Sequence, residues 1–167
     1  QDMMKTKLPI LFSTGMMNIN EIKNLHSKLN KNSIKHAIFQ CTSNYPVKLK
    51  NTGLNIVSEL RDKFNCQIGY SDHSGLLSPS LMALTLKANL IEVHLKFSKN
   101  DRGPDASSSL DFKEFKNLCK IRDQIFLVNK NPVNKNIIKR DIQVMRKLFG
   151  KSISLKKDLK KGSIIKK

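Results

Sequence analysis

The sequence predicts an α/β fold of repeated strand–helix units on a parallel sheet, and three observations carry that prediction. An apolar run, a polar loop and an amphipathic run recur four times at intervals of about 24–30 residues, the rhythm of βα units. Each apolar run is nearly continuous, as expected where both faces of a strand are covered. Each run also ends in hydroxyl, imidazole or carboxylate side chains, and the carboxyl ends of parallel strands are where such folds bind ligands. Four units make half of a (β/α)8 barrel; an open doubly wound sheet fits the same periodicity.

Residues 8–13, Leu-Pro-Ile-Leu-Phe-Ser, read as a buried strand running into Thr14-Gly15-Met16. Asn18 then caps a helix with Glu21 in capping-box position, and Ile22, Leu25 and Leu29 give it one apolar face. The second strand is 36–41, ending in Thr42-Ser43-Asn44-Tyr45-Pro46, and a helix over 54–63 follows with Leu54, Val57, Leu60 and Phe64 on one side. The third strand is 66–70, ending in Ser71-Asp72-His73. A helix follows Pro79, where Leu81, Met82, Leu84 and Leu86 are dense enough to be buried on most sides. The fourth strand is 90–95, ending at His94. A polar loop from Ser98 to Ser108 carries Gly103-Pro104-Asp105, and a helix capped by Asp111 with Glu114 presents Phe112, Phe115, Leu118, Ile121 and Ile125. The texture changes at 129–136, which reads as a linker. A helix over 137–149 has Ile138, Ile142, Met145 and Phe149 on one side, and Gly150 ends it. Beyond it come a short strand, Ser152-Ile153-Ser154-Leu155, a Lys-rich turn at Gly162, and Ile164-Ile165; this tail cannot bury a core alone and reads as the start of a second small domain.

The chain has 167 residues, 39% of them hydrophobic, which places it among folded rather than disordered chains. No apolar run approaches the ~20 residues needed to span a bilayer, so no membrane segment is expected. The start, Gln1-Asp2-Met3, lacks an initiator methionine and a signal-peptide core, which points to a chain missing its beginning. The net charge of +18 invites a nucleic-acid reading. Against it, the excess is mostly Lys, Asn and Ile are also frequent as in an AT-biased genome, and the lysines are not interleaved with aromatics; no nucleic-acid partner is expected. Cys41, Cys66 and Cys119 are scattered, with no CxxC, and fit reduced thiols of a cytoplasmic protein. Cys41 and Cys66 sit in apolar runs as core filling.

The sharpest chemistry lies in Gly69-Tyr70-Ser71-Asp72-His73-Ser74 and in Leu90-Ile91-Glu92-Val93-His94. Two imidazoles at the ends of successive strands can meet at one point and hold a divalent metal, leaving positions open for water and substrate. Glu92 shares a strand face with His94, whereas Asp72 and His73 point apart, so Glu92 is the better acidic neighbour. The competing reading is two loop histidines that face solvent. His26 and His36, on a helix face and at a strand start, read as structural. Ser13, Thr14, Ser43 and Ser71 fall at strand ends, where hydroxyls and backbone N–H groups can converge on a phosphate or carboxylate; ordinary loop chemistry is the alternative. Tyr45 before a proline, and Asp105 in a Gly-Pro-Asp turn, can be aimed at the same mouth.

Five stretches, Phe12-Ser13-Thr14-Gly15-Met16, Cys41-Thr42-Ser43-Asn44-Tyr45-Pro46, Gly69-Tyr70-Ser71-Asp72-His73, Ile91-Glu92-Val93-His94 and Gly103-Pro104-Asp105, occur in the order and approximate spacing of the sialic acid synthase family, which the chain resembles from about residue 8 to residue 162. The segment from Arg146 to Ser152, with Lys157 to Gly162, resembles the entry to that family's C-terminal antifreeze-like (SAF) domain.

The resemblance implies the C-terminal half of a (β/α)8 TIM barrel, four βα units over 1–128, then a linker and helix over 129–149, and the beginning of a small β-rich SAF domain over 150–167. It implies condensation of phosphoenolpyruvate with N-acetylmannosamine or a related acylated sugar, giving a nonulosonic acid and phosphate. It implies that His73 and His94 are the metal ligands, for Mn2+ with Mg2+ or Co2+ as alternatives, and act in catalysis through the ion. It implies that Ser13, Ser43 and Ser71 contact phosphoenolpyruvate, that Tyr45 and Asp105 contact the sugar, and that the full-length protein is a homodimer. The family's phosphate-binding lysines, its acid–base carboxylates and the arginine from a partner's SAF domain have no counterpart in these residues. A half barrel is therefore expected to be inactive alone. Another phosphoenolpyruvate-condensing sugar-acid synthase and a basic nucleic-acid-binding module are the alternatives.

Overall fold

The structure, a computed structural model, describes residues 2–152 and 154–164. In chain order the elements are α1 (Asp2–Lys5), β1 (Ile10–Ser13), α2 (Ile19–Lys31), β2 (His36–Cys41), α3 (Leu54–Lys63), β3 (Gln67–Asp72), α4 (Leu77–Thr85), β4 (Leu90–Lys96), β5 (Ser109–Asp111), α5 (Phe112–Lys130) and α6 (Arg140–Phe149). Contacts divide the chain into one unit that ends at Asn131 and holds every strand among the described residues, and a second that begins at Pro132.

In the first unit all the strand pairs are parallel and the sheet order is β1-β2-β3-β4-β5. Sequential order, with α2, α3 and α4 crossing between the first four strands, is the topology of a barrel wall; a doubly wound sheet reverses its order partway. The fold is thus a half-barrel of five strands, one more than the sequence reading expected.

The register sorts the side chains into two faces. Phe12, Ile38, Ile68, Tyr70 and Ile91 point to the helices, where they meet Ile22 of α2, Val57 and Leu60 of α3 and Ala83 of α4. Burying side chains such as Ile68 and Leu60, both at 0% exposure, stabilises the unit by about 1.5–3 kcal/mol each. The opposite face carries Leu11 and Ser13 of β1, then Ala37, Phe39 and Cys41 of β2, Gly69 and Ser71 of β3, and Glu92 and His94 of β4. Gly69 is needed on that face, since a Cβ there would stand 2.6 Å from the Phe39 ring.

Both expected capping boxes are present. Asn18 accepts from the N–H groups of Asn20 and Glu21 while Glu21 accepts from the Asn18 N–H, and Asp111 and Glu114 repeat the exchange at the start of α5.

Several expectations need correction. β1 is not fully buried: it is an edge strand, and Leu11, on the face away from the helices, is 60% exposed. β3 runs two residues further than expected, to Asp72, so Ser71 belongs to the strand itself. α4 begins before Pro79, which sits in the first turn where its missing N–H has no helical partner to lose. Met82 of α4 and Phe112 of α5 are exposed, and the Phe112 ring packs on Phe97 instead, at 5.6 Å between centroids. Just past the expected loop from Ser98 to Ser108 lies a strand that the sequence reading does not expect, β5, which pairs His94 with Ser109 and Lys96 with Asp111.

In the second unit α6 starts at Arg140, and Ile138, Ile142, Met145 and Phe149 are all exposed. The expected strand Ser152–Leu155 includes Ile153, and the run Ile164-Ile165 includes Ile165; both positions lie outside the described residues. No helix among the described residues is long and apolar enough to cross a membrane.

Candidate functional site

The carboxyl ends of β1 to β4 surround an open cavity of about 560 Å³, lined by Ser13, Thr14, Cys41, Ser43, Tyr45, Ser71, His73, Glu92 and His94 among others. Alternation places these residues together. Ser71 is on the inner face, so Asp72 turns outward toward α4 and His73 turns back inward. Asp72 is only 2% exposed, and its carboxylate accepts from the Ser74 N–H (2.8 Å) and the Ser80 hydroxyl (2.9 Å). It therefore ties the strand end to α4 and does not face the cavity.

The His73 and His94 rings lie 5.1 Å apart between centroids, tilted by 59°. His73 is buried, with Nδ1 3.1 Å from the Thr42 carbonyl oxygen. A carbonyl can only accept, so Nδ1 carries the proton and Nε2 keeps its lone pair. This is the orientation that a metal-ligating imidazole takes from a neighbouring carbonyl. Nε2 lies 3.4 Å from Ser71 Oγ, whose hydroxyl donates to Glu92 Oε1 at 2.6 Å. His73 and His94 are the imidazoles of this cavity that could hold a divalent ion, whose other positions would stay open to water and substrate.

The Tyr45 ring stacks on His73, at 4.1 Å and 23°, and meets His94 edge-on at 5.8 Å. Desolvation pushes its phenol above the ordinary value, and the charges of Cys41, Asp105 and Glu92 push the same way. Its loop is anchored by the Val47 N–H donating to the His73 carbonyl at 2.9 Å. Cys41 Sγ is 3.9 Å from both His73 nitrogens, so it rests against the ring rather than on a lone pair. Burial raises its thiol pKa above the ordinary value. Thr14, buried, stitches β1 to β2, its hydroxyl donating to Gln40 Oε1 and accepting from the Cys41 N–H.

Of the expected site residues, Ser13, Ser43, Ser71, Tyr45, His73 and His94 line one cavity, as does Glu92. Asp105 does not line it; the carboxylate is exposed on the loop that leads to β5, and its charge reaches Tyr45. Two contributors had no usable sequence signal: the Thr42 carbonyl, which is backbone, and Cys41, whose apolar neighbours suggested core filling alone. A different group, His26, His36 and Cys66, brings three metal-ligating side chains together at the opposite, N-terminal end of the strands. It shares no residue with this cavity.

A sequential parallel sheet with an imidazole- and hydroxyl-lined cavity at its carboxyl rim defines a segment of a β/α barrel. The family model described as the NeuB family matches residues 1–133, and the chain belongs to that family. It is 36% identical over 165 residues to the N,N'-diacetyllegionaminic acid synthase of Campylobacter jejuni, covering 96% of this chain and 48% of that protein. It is 32% identical over 163 residues to a pseudaminic acid synthase of the same species, covering 96% of this chain and 46% of that one. Among solved structures, an N-acetylneuraminic acid synthetase from Leptospira borgpetersenii, in complex with citrate, superposes with a TM-score of 0.76 at 25% identity, over 87% of this chain and 50% of that one. The chain thus spans about half the length of these relatives. Its homology is to nonulosonic acid synthases, which are enzymes.

Proposed function

We propose that this segment forms the carboxyl-rim site of a synthase that condenses phosphoenolpyruvate with N-acetylmannosamine or a related acylated mannosamine-type sugar, giving a nonulosonic acid and phosphate. The observation that carries the reading is the convergence of His73 and His94 from successive strand ends on one cavity with Ser13, Ser43 and Ser71.

His73 and His94 would hold the divalent ion, Mn2+ first and Mg2+ or Co2+ as alternatives. When bound, the ion supplies Lewis-acid polarisation of a carbonyl oxygen. In the reaction the methylene carbon of phosphoenolpyruvate bonds to the aldehyde carbon of the open-chain sugar. Water adds to the cationic carbon left behind, and phosphate leaves. The chain's own residues bind and orient. The hydroxyls of Ser13, Ser43 and Ser71 sit where an anionic substrate would be received. Ser71 fixes the Glu92 carboxylate through its hydrogen bond. Tyr45 covers the His73 ring, and its phenol stays protonated as a donor toward sugar hydroxyls. Asp105 would reach the sugar only if its loop closed over the rim. Residues 150–167 would lead into an antifreeze-like domain, and the complete protein would pair as a homodimer.

The test is phosphate release from phosphoenolpyruvate by a complete barrel containing this segment, with and without Mn2+. His73→Ala and His94→Ala are each expected to lower kcat/KM by about 100-fold or more, since Lewis-acid stabilisation is worth several kcal/mol. Undiminished turnover in both variants would remove these histidines from the chemistry.

A further inference from the structure

At the end of the sheet away from the cavity, three residues from three elements converge: His26 of α2, His36 at the first position of β2, and Cys66 just before β3. One ligand atom from each lies within 4.8 Å of the others. His26 Nδ1 is 2.8 Å from His36 Nε2. His36 Nδ1 donates to the Ile34 carbonyl at 2.9 Å, which leaves Nε2 with its lone pair turned toward His26. On the far side of His26, the Asn30 side-chain amide is 2.9 Å from Nε2. All three residues are half-buried, and His36, Cys66 and Asn30 line a cavity of about 490 Å³ that gives an ion a way in. The Phe64 ring, 4.9 Å from His26, supplies an apolar wall.

We propose that His26, His36 and Cys66 bind a Zn2+ ion in a structural site that fastens α2 to the amino ends of β2 and β3. Two imidazoles and one thiolate are a borderline-soft donor set that suits zinc, and water from the cavity completes four-coordination. Zinc–nitrogen bonds of ~2.0–2.1 Å and zinc–sulfur bonds of ~2.3 Å place tetrahedral ligand atoms about 3.3–3.6 Å apart. The imidazole nitrogens need only spread by about half an ångström from the hydrogen bond they now share. The proton balance is simple. The ion takes the place of the proton between His26 Nδ1 and His36 Nε2. That proton moves to His26 Nε2, where Asn30, with its amide turned over, accepts it through Oδ1. The Cys66 thiol proton leaves to solvent. The amino end of a barrel wall is where such a clip would serve stability rather than turnover.

The test uses the full chain stripped of metal, with Co2+ as a spectroscopic probe for Zn2+. One equivalent is expected to produce a sulfur-to-cobalt charge-transfer band. The band should persist in Cys41→Ser and in the double variant His73→Ala/His94→Ala, vanish in Cys66→Ser, and require at least about tenfold more Co2+ in His26→Gln and His36→Gln. In the unaltered chain, Zn2+ should slow alkylation of Cys66 by iodoacetamide while leaving Cys119 unchanged, a readout that depends on no variant folding. Absence of the band, its survival in Cys66→Ser, or equal alkylation of Cys66 with and without Zn2+ would each overturn the site and leave the three residues as a hydrogen-bonded packing network.

Discussion

The two tyrosines show how the same side chain is tuned by its place on a strand. Tyr45 sits 49% exposed over the rim imidazoles, whereas Tyr70 is 1% exposed on the helix-facing side of β3. Desolvation drives the Tyr70 phenol well above its ordinary range, and the neighbouring charges of Asp72 and Cys41 add to the effect. Below pH ~10 the folded and unfolded chains both keep this proton. Above that pH the unfolded chain releases it while the folded one does not, so the unfolded state binds fewer protons and stability falls as pH rises. Tyr70→Phe is expected to remove that part of the alkaline slope. Urea midpoints between pH 8 and 11 would show it, and an unchanged slope would mean that Tyr70 does not govern alkaline unfolding. Residue identity alone did reveal most of the rim, because Ser13, Ser43, Ser71, His73 and His94 each close an apolar run. It could not reveal what orients them. The Thr42 carbonyl, the Ser71–Glu92 bond and the Cys41 thiol against the His73 ring are products of register between strands that lie about 20–30 residues apart in the chain. His26, His36 and Cys66 were invisible as a group for the same reason, since each sits singly in a segment with an adequate local explanation.

At the scale of elements, the strongest local signals translated most directly. The Asn18–Glu21 and Asp111–Glu114 boxes are legible because each is closed within four residues of chain and needs no tertiary partner. Asn18→Ala is expected to cost about 1 kcal/mol, and Asn18→Gly only a few tenths, in denaturant unfolding of the chain. Equal losses for the two would show that contacts other than the cap decide the start of α2. β5 was illegible for the opposite reason. Its three residues, Ser109, Leu110 and Asp111, offer one apolar side chain, and all three are buried only because the preceding turn lays them against β4. The ends of α4 and α6 were misjudged because Pro79 and the 129–139 stretch act on chain ends, where helix boundaries answer to capping rather than to periodicity.

For the unit as a whole, the two faces of the sheet have unequal fates. The helix side buries Ile38, Ile68, Tyr70, Val57 and Leu60 almost completely. On the other side Leu11, on the edge strand β1, is 60% exposed. Among the described residues β1 pairs with β2 alone, so its other edge offers unpaired backbone N–H and C=O groups. An apolar edge of this kind recruits further strands, either those that close a barrel or those of another copy. The chain on its own is therefore expected to bind an apolar dye such as ANS and to associate as its concentration rises. Joined to the remaining strands of a complete barrel, it is expected to lose both behaviours, because Leu11 and the β1 edge would then be covered. Sedimentation and dye binding on the two forms decide the matter. A monomeric, dye-silent chain with a cooperative melt would show that the five-strand unit is self-sufficient, and that the exposed row on β1 needs no partner to be tolerated.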